Sequence, residues 1–522
     1  LLYWVAISMS KTIIIIGAGL AGLSAALQAA ENGCNVKLVS SLPSERAQSV
    51  MAEGGINAAL NTKDENDSPE EHFTDTIKAA CGLADPNAVW GMTQAAPELV
   101  HWLLKLGVKF NMSGYDDVDL RNFGGQKKKR TAFAQSDTGK QIMTAMIDAV
   151  RRKEASGMVE RFSHHSFLTL RLCGNICCGC VIRDEYSQET VELPGNAVIV
   201  ATGGMHGLFG NTTGSLSNTG EVTAELFRLG VPLANGEMIQ YHPTTVKCGG
   251  KRMLISEAAR GEGGRLFAMK DGKQWYFMEE KYPELGNLMP RDITAREIWK
   301  VSHESEVFLD MTEISDEIIS NKLSGLADDC MTYLHKDIRK EPVSVLPGIH
   351  YFMGGILVDE QHRTPIQNLC AAGECCAQYH GANRLGGNSL LGALYGGRVA
   401  AKSACEQADV VDLSCATQID FPPASQISEI KQLNKVMQET MGVVRNENTL
   451  LNGIQTVQAL TGNLPLLGMA VLKSALARKE SRGAHWREDY PKSNDDDYLK
   501  TTVARFDGKQ IQISFVPVPE RR

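Results

Sequence analysis

The stretch TIIIIGAGLAGLSAALQAAENGCNVKLVS, residues 12–40, restricts the fold more than any other part of the chain. Thr12–Ile16 is a continuous apolar run, the pattern of a strand buried on both faces. Gly17, Gly19 and Gly22 follow as G-x-G-x-x-G. The first glycine permits a tight turn, the second lets a pyrophosphate approach the backbone, and the third lets helix and strand pack closely. The helix N-terminus then faces the phosphates. Set between a strand and a helix, the spacing predicts a dinucleotide-binding βαβ unit. The second strand, VKLVS, ends in Ser40, where a ribose-binding Asp or Glu often stands, so nicotinamide binding is the less supported reading.

Two later stretches share this character. NAVIVATGG (Asn196–Gly204) and NLCAAGE (Asn368–Glu374) each end an apolar run in small residues. Three strand-to-glycine ends, far apart in sequence, predict one cofactor site assembled from separated segments. Residues 240–345 break the pattern and read as an inserted domain. After about residue 410 the chain changes again: ISEIKQLNKVMQETMGVV and LLGMAVLKSALARKESR read as helices, and KQIQISFV as a late strand.

Composition narrows the function. The net charge of −8 over 522 residues argues against a nucleic-acid surface. The basic run Lys127-Lys128-Lys129-Arg130 reads as a solvated loop. No apolar run reaches the roughly 18 residues of a membrane-spanning helix. The opening LLYWVAIS lacks the basic start and cleavage site of a signal peptide and reads as an upstream extension, residues 1–8. Thirteen cysteines, an odd number scattered over a long chain, suit a reducing cytoplasm rather than a disulfide framework. Cys173, Cys177, Cys178 and Cys180 flank a Gly174-Asn175 hairpin turn. Alternation along a strand sends neighbouring side chains to opposite faces, so these thiols read as structural and no metal site is expected.

The chemistry concentrates in five segments: YHPTT (His242), LISEAARGEGG (Ser256, Glu257, Arg260), MPRDITARE (Arg291), GIHYFMGG (His350) and HGANRLGGNSLL (Arg384). Histidines and arginines set among small residues suit recognition of a small dianion, because a guanidinium fork matches a carboxylate.

These segments, with GAGLAG, DSPEEHF, ATGG, NTGE and ESRGAHWREDYP (Glu480–Pro491), resemble the flavoprotein subunit of the succinate dehydrogenase/fumarate reductase family from about Lys11 to about Thr502. KQWYFMEEKYPELGNLMPRDI and DSPEEHF are similar to its menaquinone-linked subgroup. The resemblance implies an α/β fold. A Rossmann-like FAD-binding domain (9–239 and 346–408) carries an inserted α+β capping domain (240–345). A helical C-terminal domain with a small strand region (409–522) follows.

It implies FAD contacts from Gly17, Ala18, Gly19, Leu20, Ala21, Gly22, Ser40, Gln48, Ser49, Gly54 and Gly55. Ala201, Thr202, Gly203, Gly204, Glu221, Glu374, Ser389 and Leu390 match the remaining ones. His242, Ser256, His350 and Arg384 match the residues that grip the two carboxylates of fumarate or succinate. Arg291 matches the catalytic proton donor, and Glu257 with Arg260 its relay to solvent. Ser256 stands where Thr is frequent, and keeps the hydroxyl.

Gln48 departs from the pattern. Quinone-linked members carry a histidine there, bonded to the flavin 8α-methyl, and an amide cannot form that bond. The expectation is noncovalent FAD, a lower flavin potential and fumarate reduction. The chain shows no iron–sulfur ligand spacing. The resemblance therefore implies an iron–sulfur partner subunit and, through it, a membrane anchor with menaquinone at the cytoplasmic membrane face. L-Aspartate oxidase, which shares the HYFMGG and HGANRL patterns, is the alternative, and a noncatalytic flavoprotein the third reading.

Overall fold

The structure, a computed structural model, describes residues 10–114, 117–407, 416, 421 and 426–522. The extension read at residues 1–8 and the boundary placed at 408/409 lie outside the described residues.

Strand β1 (Thr12–Ile16) lies at the centre of a five-stranded parallel sheet. On one side is β2 (Asn35–Ser40) and then Val159–Ser163; on the other are Ala197–Val200 and Leu369–Ala371. Ile13, Ile14 and Ile15 have no exposed surface, as a strand covered on both faces requires. The three strand-to-glycine ends are therefore neighbours. Ala201 N–H donates to Ile16 O at 2.8 Å, and Ala372 N–H to Val200 O at 2.9 Å.

Helix α1 (Leu20–Glu31) starts at the glycine turn and packs along the helix Asn388–Gln407. Its closest approaches need residues without bulk. A Cβ on Gly22 would sit 1.8 Å from Gly17 O, and one on Gly397 2.3 Å from Ala21 O. Ser24 Oγ donates across this interface to Leu394 O at 2.6 Å.

Two antiparallel strands, Ile239–Cys248 and Leu346–Phe352, lead out of this unit and back. Between them, residues 255–345 gather their own apolar cluster around the antiparallel strands Arg265–Lys270, Lys273–Trp275, Val307–Asp310 and Val343–Ser344. The strand pair is irregular at Gln240/Tyr241 and between His242 and Thr245. Such bulges re-aim side chains, and these carry His242.

The hairpin read at Gly174-Asn175 joins His165–Cys173 to Ile176–Asp184. Cys177 and Cys180 share one apolar cluster, because the register shifts between Arg171 and Leu172. Cys178 Sγ instead donates to Arg171 O at 3.1 Å. Burial pushes the Cys177 thiol up to about 12. Among the described residues, no three His, Cys, Asp or Glu side chains lie together in a way that could hold a metal ion.

The basic run 127–130 is only in part a solvated loop. Lys127 and Lys129 are exposed, but Arg130 is fully buried. Its guanidinium pairs with Asp67 at 2.8 Å and Asp75 at 3.0 Å. Asp67 opens DSPEEHF, where Ser68 caps the helix Pro69–Ala79 and accepts from Glu71 N–H at 3.2 Å.

The C-terminal helices Ile427–Thr440, Glu447–Val457 and Asn463–Ala477 share a core with Leu208, Phe209, Ile349 and Phe352. The last helix stops at Ala477 rather than running to Arg482. Arg478 turns inward there, and its Nε donates to Glu237 Oε1 at 2.7 Å. Its two Nη groups donate to Glu480 Oε1, Tyr498 O, Lys500 O and Thr502 Oγ1. The late strand Ile511–Pro517 pairs with Lys500–Phe506, which joins Leu233–Ala234, Gly355–Leu357 and Cys376–Ala377 in a second five-stranded sheet.

Replacing Arg478 by Leu leaves Glu237 buried without its cation, while Glu480 keeps Arg482, a change that costs about 3–5 kcal/mol. The expected outcome is a lower urea midpoint together with loss of amide-exchange protection in residues 500–506; unchanged protection there would show that the network does not hold the strands.

Candidate active site

The dinucleotide side forms at the C-terminal ends of the parallel strands, where ligands bind in sheets of this kind. Gly17, with φ +110°, has Ala201 O where a Cβ would stand, at 2.2 Å. Gly19 is the contrast: a Cβ there would meet nothing nearer than Ser49 Oγ at 3.7 Å, which leaves room over the turn. Leu20 N–H, the first orphan donor of α1, reaches Ser49 Oγ at 3.3 Å. Ala18 and Ala21 are buried beside it. Ser40 Oγ is buried with no partner at the end of β2, a group that a ribose hydroxyl would satisfy. The open turn and the unpartnered hydroxyl fit a bound dinucleotide.

Other expected cofactor residues surround this point. Gly55, at φ +135°, backs onto Ala132 O, and Arg121 donates to Gly54 O through Nε at 3.0 Å. Thr202 and Gly203 continue the turn after Ala201, and Gly203 packs on the Asn218 side chain. A Cβ on Gly204 would touch Glu374 Oε1 at 2.7 Å. Glu374 accepts from Phe352 N–H at 3.1 Å and lies 3.7 Å from His206 Nε2. Ser389 and Leu390 open the helix that packs on α1. Gln48 Oε1 accepts from Ser215 N–H. Glu221 stands apart, exposed at the start of Glu221–Arg228, with Arg183 and Glu185 as its charged neighbours.

The second cluster sits where the inserted region returns to the sheet. Glu257, buried at the start of a short helix capped by Ser256, is its centre. Arg291 donates to Glu257 Oε2 from Nε at 2.8 Å and from Nη2 at 2.6 Å. Arg260 Nη2 lies 3.4 Å from Glu257 Oε1, and Gly124 N–H donates to the same oxygen at 3.1 Å. Arg291 Nη1 donates to Gln240 Oε1 at 3.1 Å. Gln240 Nε2 in turn donates to Arg384 O and Asn383 Oδ1, both at 2.8 Å. Arg384 lies over the Tyr351 ring at 4.3 Å, and its Nε is buried without a partner. The His242 and His350 rings are 5.2 Å apart, and Thr213 Oγ1 meets His350 Nδ1 at 2.8 Å.

Charge in this pocket is out of balance. Arg260 and Arg291 converge on one carboxylate, Glu257, and Arg384 feels Glu374 and Glu257 without an ion pair to either. Burial and then Arg291 hold both His242 and His350 well below 6.5, so both imidazoles are neutral. Burial and then Arg291 bring Arg384 down to about 9. Burial alone would raise Glu257, but Arg291, Arg260 and Gly124 N–H hold it below 4.5. Surplus buried cations and unpaired N–H groups suit a small dianion.

The structure thus brings together all seven residues read as catalytic or substrate-binding: Arg291, Glu257, Arg260, His242, Ser256, His350 and Arg384. It adds Gln240, Gly124 and Thr213. Gln240 lies two positions before His242, where strand alternation marks it. Thr213 and Gly124 carry no such signal, since their partners are 137 and 133 residues away.

A family described as FAD binding domain matches residues 12–390, and one described as fumarate reductase flavoprotein C-term matches 460–521. The chain is 38% identical to the succinate dehydrogenase flavoprotein subunit of Bacillus subtilis, over 98% of each chain. It is 32% identical to the 8-methylmenaquinol:fumarate reductase flavoprotein subunit of Wolinella succinogenes, covering 98% of this chain and 92% of that one. A variant of E. coli quinol fumarate reductase FrdA superposes with a TM-score of 0.89 at 27% identity, over 98% and 97% of the two chains. Among the described residues no helix is long and apolar enough to cross a membrane. With an FAD-binding domain spanning most of its length and relatives of this identity over nearly all of it, the chain is a flavoenzyme and belongs to the succinate dehydrogenase/fumarate reductase flavoprotein subunit family.

Proposed function

We propose that this chain reduces fumarate to succinate, with Arg291 as the proton donor. The observation that carries the reading is the Arg291 guanidinium, anchored on Glu257 and Gln240 beside Arg384, His242 and His350. Bound FAD supplies the hydride equivalent. Arg384, His242, His350 and Ser256 hold the two carboxylates, and twisting one of them out of conjugation makes the alkene more electrophilic.

Arginine is a weak acid, ordinarily above about 12, but a carbanion is basic enough to take its proton. Three of its five N–H groups are engaged by Glu257 and Gln240, so one N–H on each Nη stays free for the substrate. Glu257 and Arg260 then reload Arg291 from water.

Gln48 supports the reductive direction. Its amide forms no bond to a flavin methyl and is held instead by Ser215 N–H. FAD is therefore bound noncovalently and keeps a low potential. The relatives' names as flavoprotein subunits support an iron–sulfur partner and, through it, a menaquinone-linked anchor at the cytoplasmic membrane face. Of the charged side chains of ESRGAHWREDYP, Glu488 and Asp489 are exposed. Glu480, Arg482, His485 and Arg487 are buried in contacts within the chain.

Three measurements test the reading. Anaerobic protein reduced with a viologen dye is reoxidised by fumarate and does not turn over L-aspartate with oxygen. Peroxide formation from L-aspartate would make it an aspartate oxidase, and no response to either substrate a noncatalytic flavoprotein. Arg291→Gln retains FAD and loses about 10²–10⁴-fold in fumarate reduction; near-normal turnover would remove the proton-donor role. Acid precipitation leaves the yellow colour in the supernatant, whereas flavin in the pellet would mean a covalent link elsewhere.

The Glu257 pairing has its own pH signature. A carboxylate held below its usual 4.5 adds stability above that pH and loses it as pH falls through the lowered value. The Tm difference between the parent chain and Glu257→Gln is expected to be constant above pH 4.5 and to shrink below it. A difference independent of pH would mean that Glu257 is not ionised in the fold.

A further inference from the structure

Two thiols far from the pocket meet at the other end of the cofactor-binding helices. Cys34 lies in the turn after α1, where its N–H donates to Ala29 O at 3.0 Å. Cys405 lies in the last turn of Asn388–Gln407. Their sulfurs are 3.0 Å apart although 371 residues separate them in sequence. Lys11 Nζ donates to Cys405 O at 2.6 Å, so the start of β1 is fastened at the same point. The two helices run side by side from here, through Ser24 and Leu394, to N-termini that open at Leu20 and at Asn388–Leu390. Both of those ends face the dinucleotide side.

We propose that Cys34 and Cys405 form a reversible disulfide that staples α1 to the helix Asn388–Gln407 and slows loss of the bound dinucleotide. A covalent bond needs the sulfurs to close by about 1 Å, to roughly 2.05 Å. The oxidant is a small-molecule disulfide. The thiolate of Cys405, the more exposed partner, attacks one of its sulfurs and releases one thiol, leaving a mixed disulfide. Cys34, already in contact, attacks the Cys405 sulfur and releases the second thiol. Two protein thiols are oxidised, and one small disulfide is reduced to two thiols. Burial, and then Cys34 itself, push the Cys405 thiol up, which slows the exchange at neutral pH. In a cytoplasm that keeps thiols reduced, the bond forms only when the small-thiol pool turns oxidising.

The test uses the full chain with FAD bound and glutathione disulfide as the probe. After incubation, free thiols are alkylated and the protein is digested without reduction. A cross-linked peptide pair carrying Cys34 and Cys405 is expected, with two glutathiones released for each pair formed. In Cys34→Ser the reaction stops at Cys405 carrying one glutathione. The oxidised chain releases FAD several-fold more slowly in mild urea, and dithiothreitol reverses the change in the parent but finds none in Cys34→Ser. Both cysteines recovered alkylated, or linked only to other cysteines, would overturn the site. A cross-link that leaves FAD release unchanged would overturn its coupling to the dinucleotide. The mapping reads no turnover, so its outcome is independent of whether the chain reduces fumarate.

Discussion

The desolvated carboxylate of Glu257 is the constraint around which the pocket is built. An ion buried to this degree costs several kcal/mol unless its oxygens are matched by donors. The donors come from three places in the chain: Arg260 on its own helix, Arg291 at the start of another, and Gly124 N–H from the loop before the basic run. Satisfying one carboxylate therefore fixes the inserted region against the sheet-bearing unit. Even the glycine is required, since a Cβ at 124 would come within 2.5 Å of Glu257 Oε1. Arg260 Nη1 is tied in turn to Asn287 O at 2.6 Å, which holds the approach to Arg291.

This arrangement leaves cations in excess, and that excess does chemical work. Burial, and then Arg291, keep the neighbouring imidazoles neutral, while burial also weakens the hold of Arg384 on its own proton. A dianion entering the pocket reverses each of these effects at once. It neutralises the guanidiniums, gives the Arg384 Nε an acceptor and favours protonated histidines. Low-dielectric surroundings make each of these contacts stronger than it would be in water. The fold thus holds unpaired donors around Glu257, and the dianion of the proposed reaction would complete the ion network that Glu257 begins.

The parts visible in the sequence were those governed by local rules. The run Thr12–Ile16 followed by three spaced glycines specifies a buried strand and a tight turn, whatever the rest of the chain does. The arginines and histidines of the pocket stood out because each is set among small residues. Long-range partners were not visible. Four basic residues at 127–130 look alike in sequence, and only the acids at 67 and 75 decide that Arg130 turns inward. The end of the helix at Ala477 is likewise set by Glu237, 241 residues before Arg478. A hydroxyl such as Thr213 has no pattern to mark it until His350 is placed beside it.

Gln48 joins these two kinds of information. The sequence marks it as a departure in a position where a histidine would be bonded to the cofactor. The structure places its carbonyl oxygen on Ser215 N–H, in the loop that carries Thr212 and Thr213. Thr212 Oγ1 meets His206 Nδ1 at 2.9 Å, and Thr213 Oγ1 meets His350. The amide therefore holds the loop whose hydroxyls orient one imidazole beside Glu374 and another beside His242. An acceptor is needed at that point whether or not the side chain is bonded to a flavin. Glutamine supplies it, so the geometry around His206 and His350 is kept without a histidine at position 48.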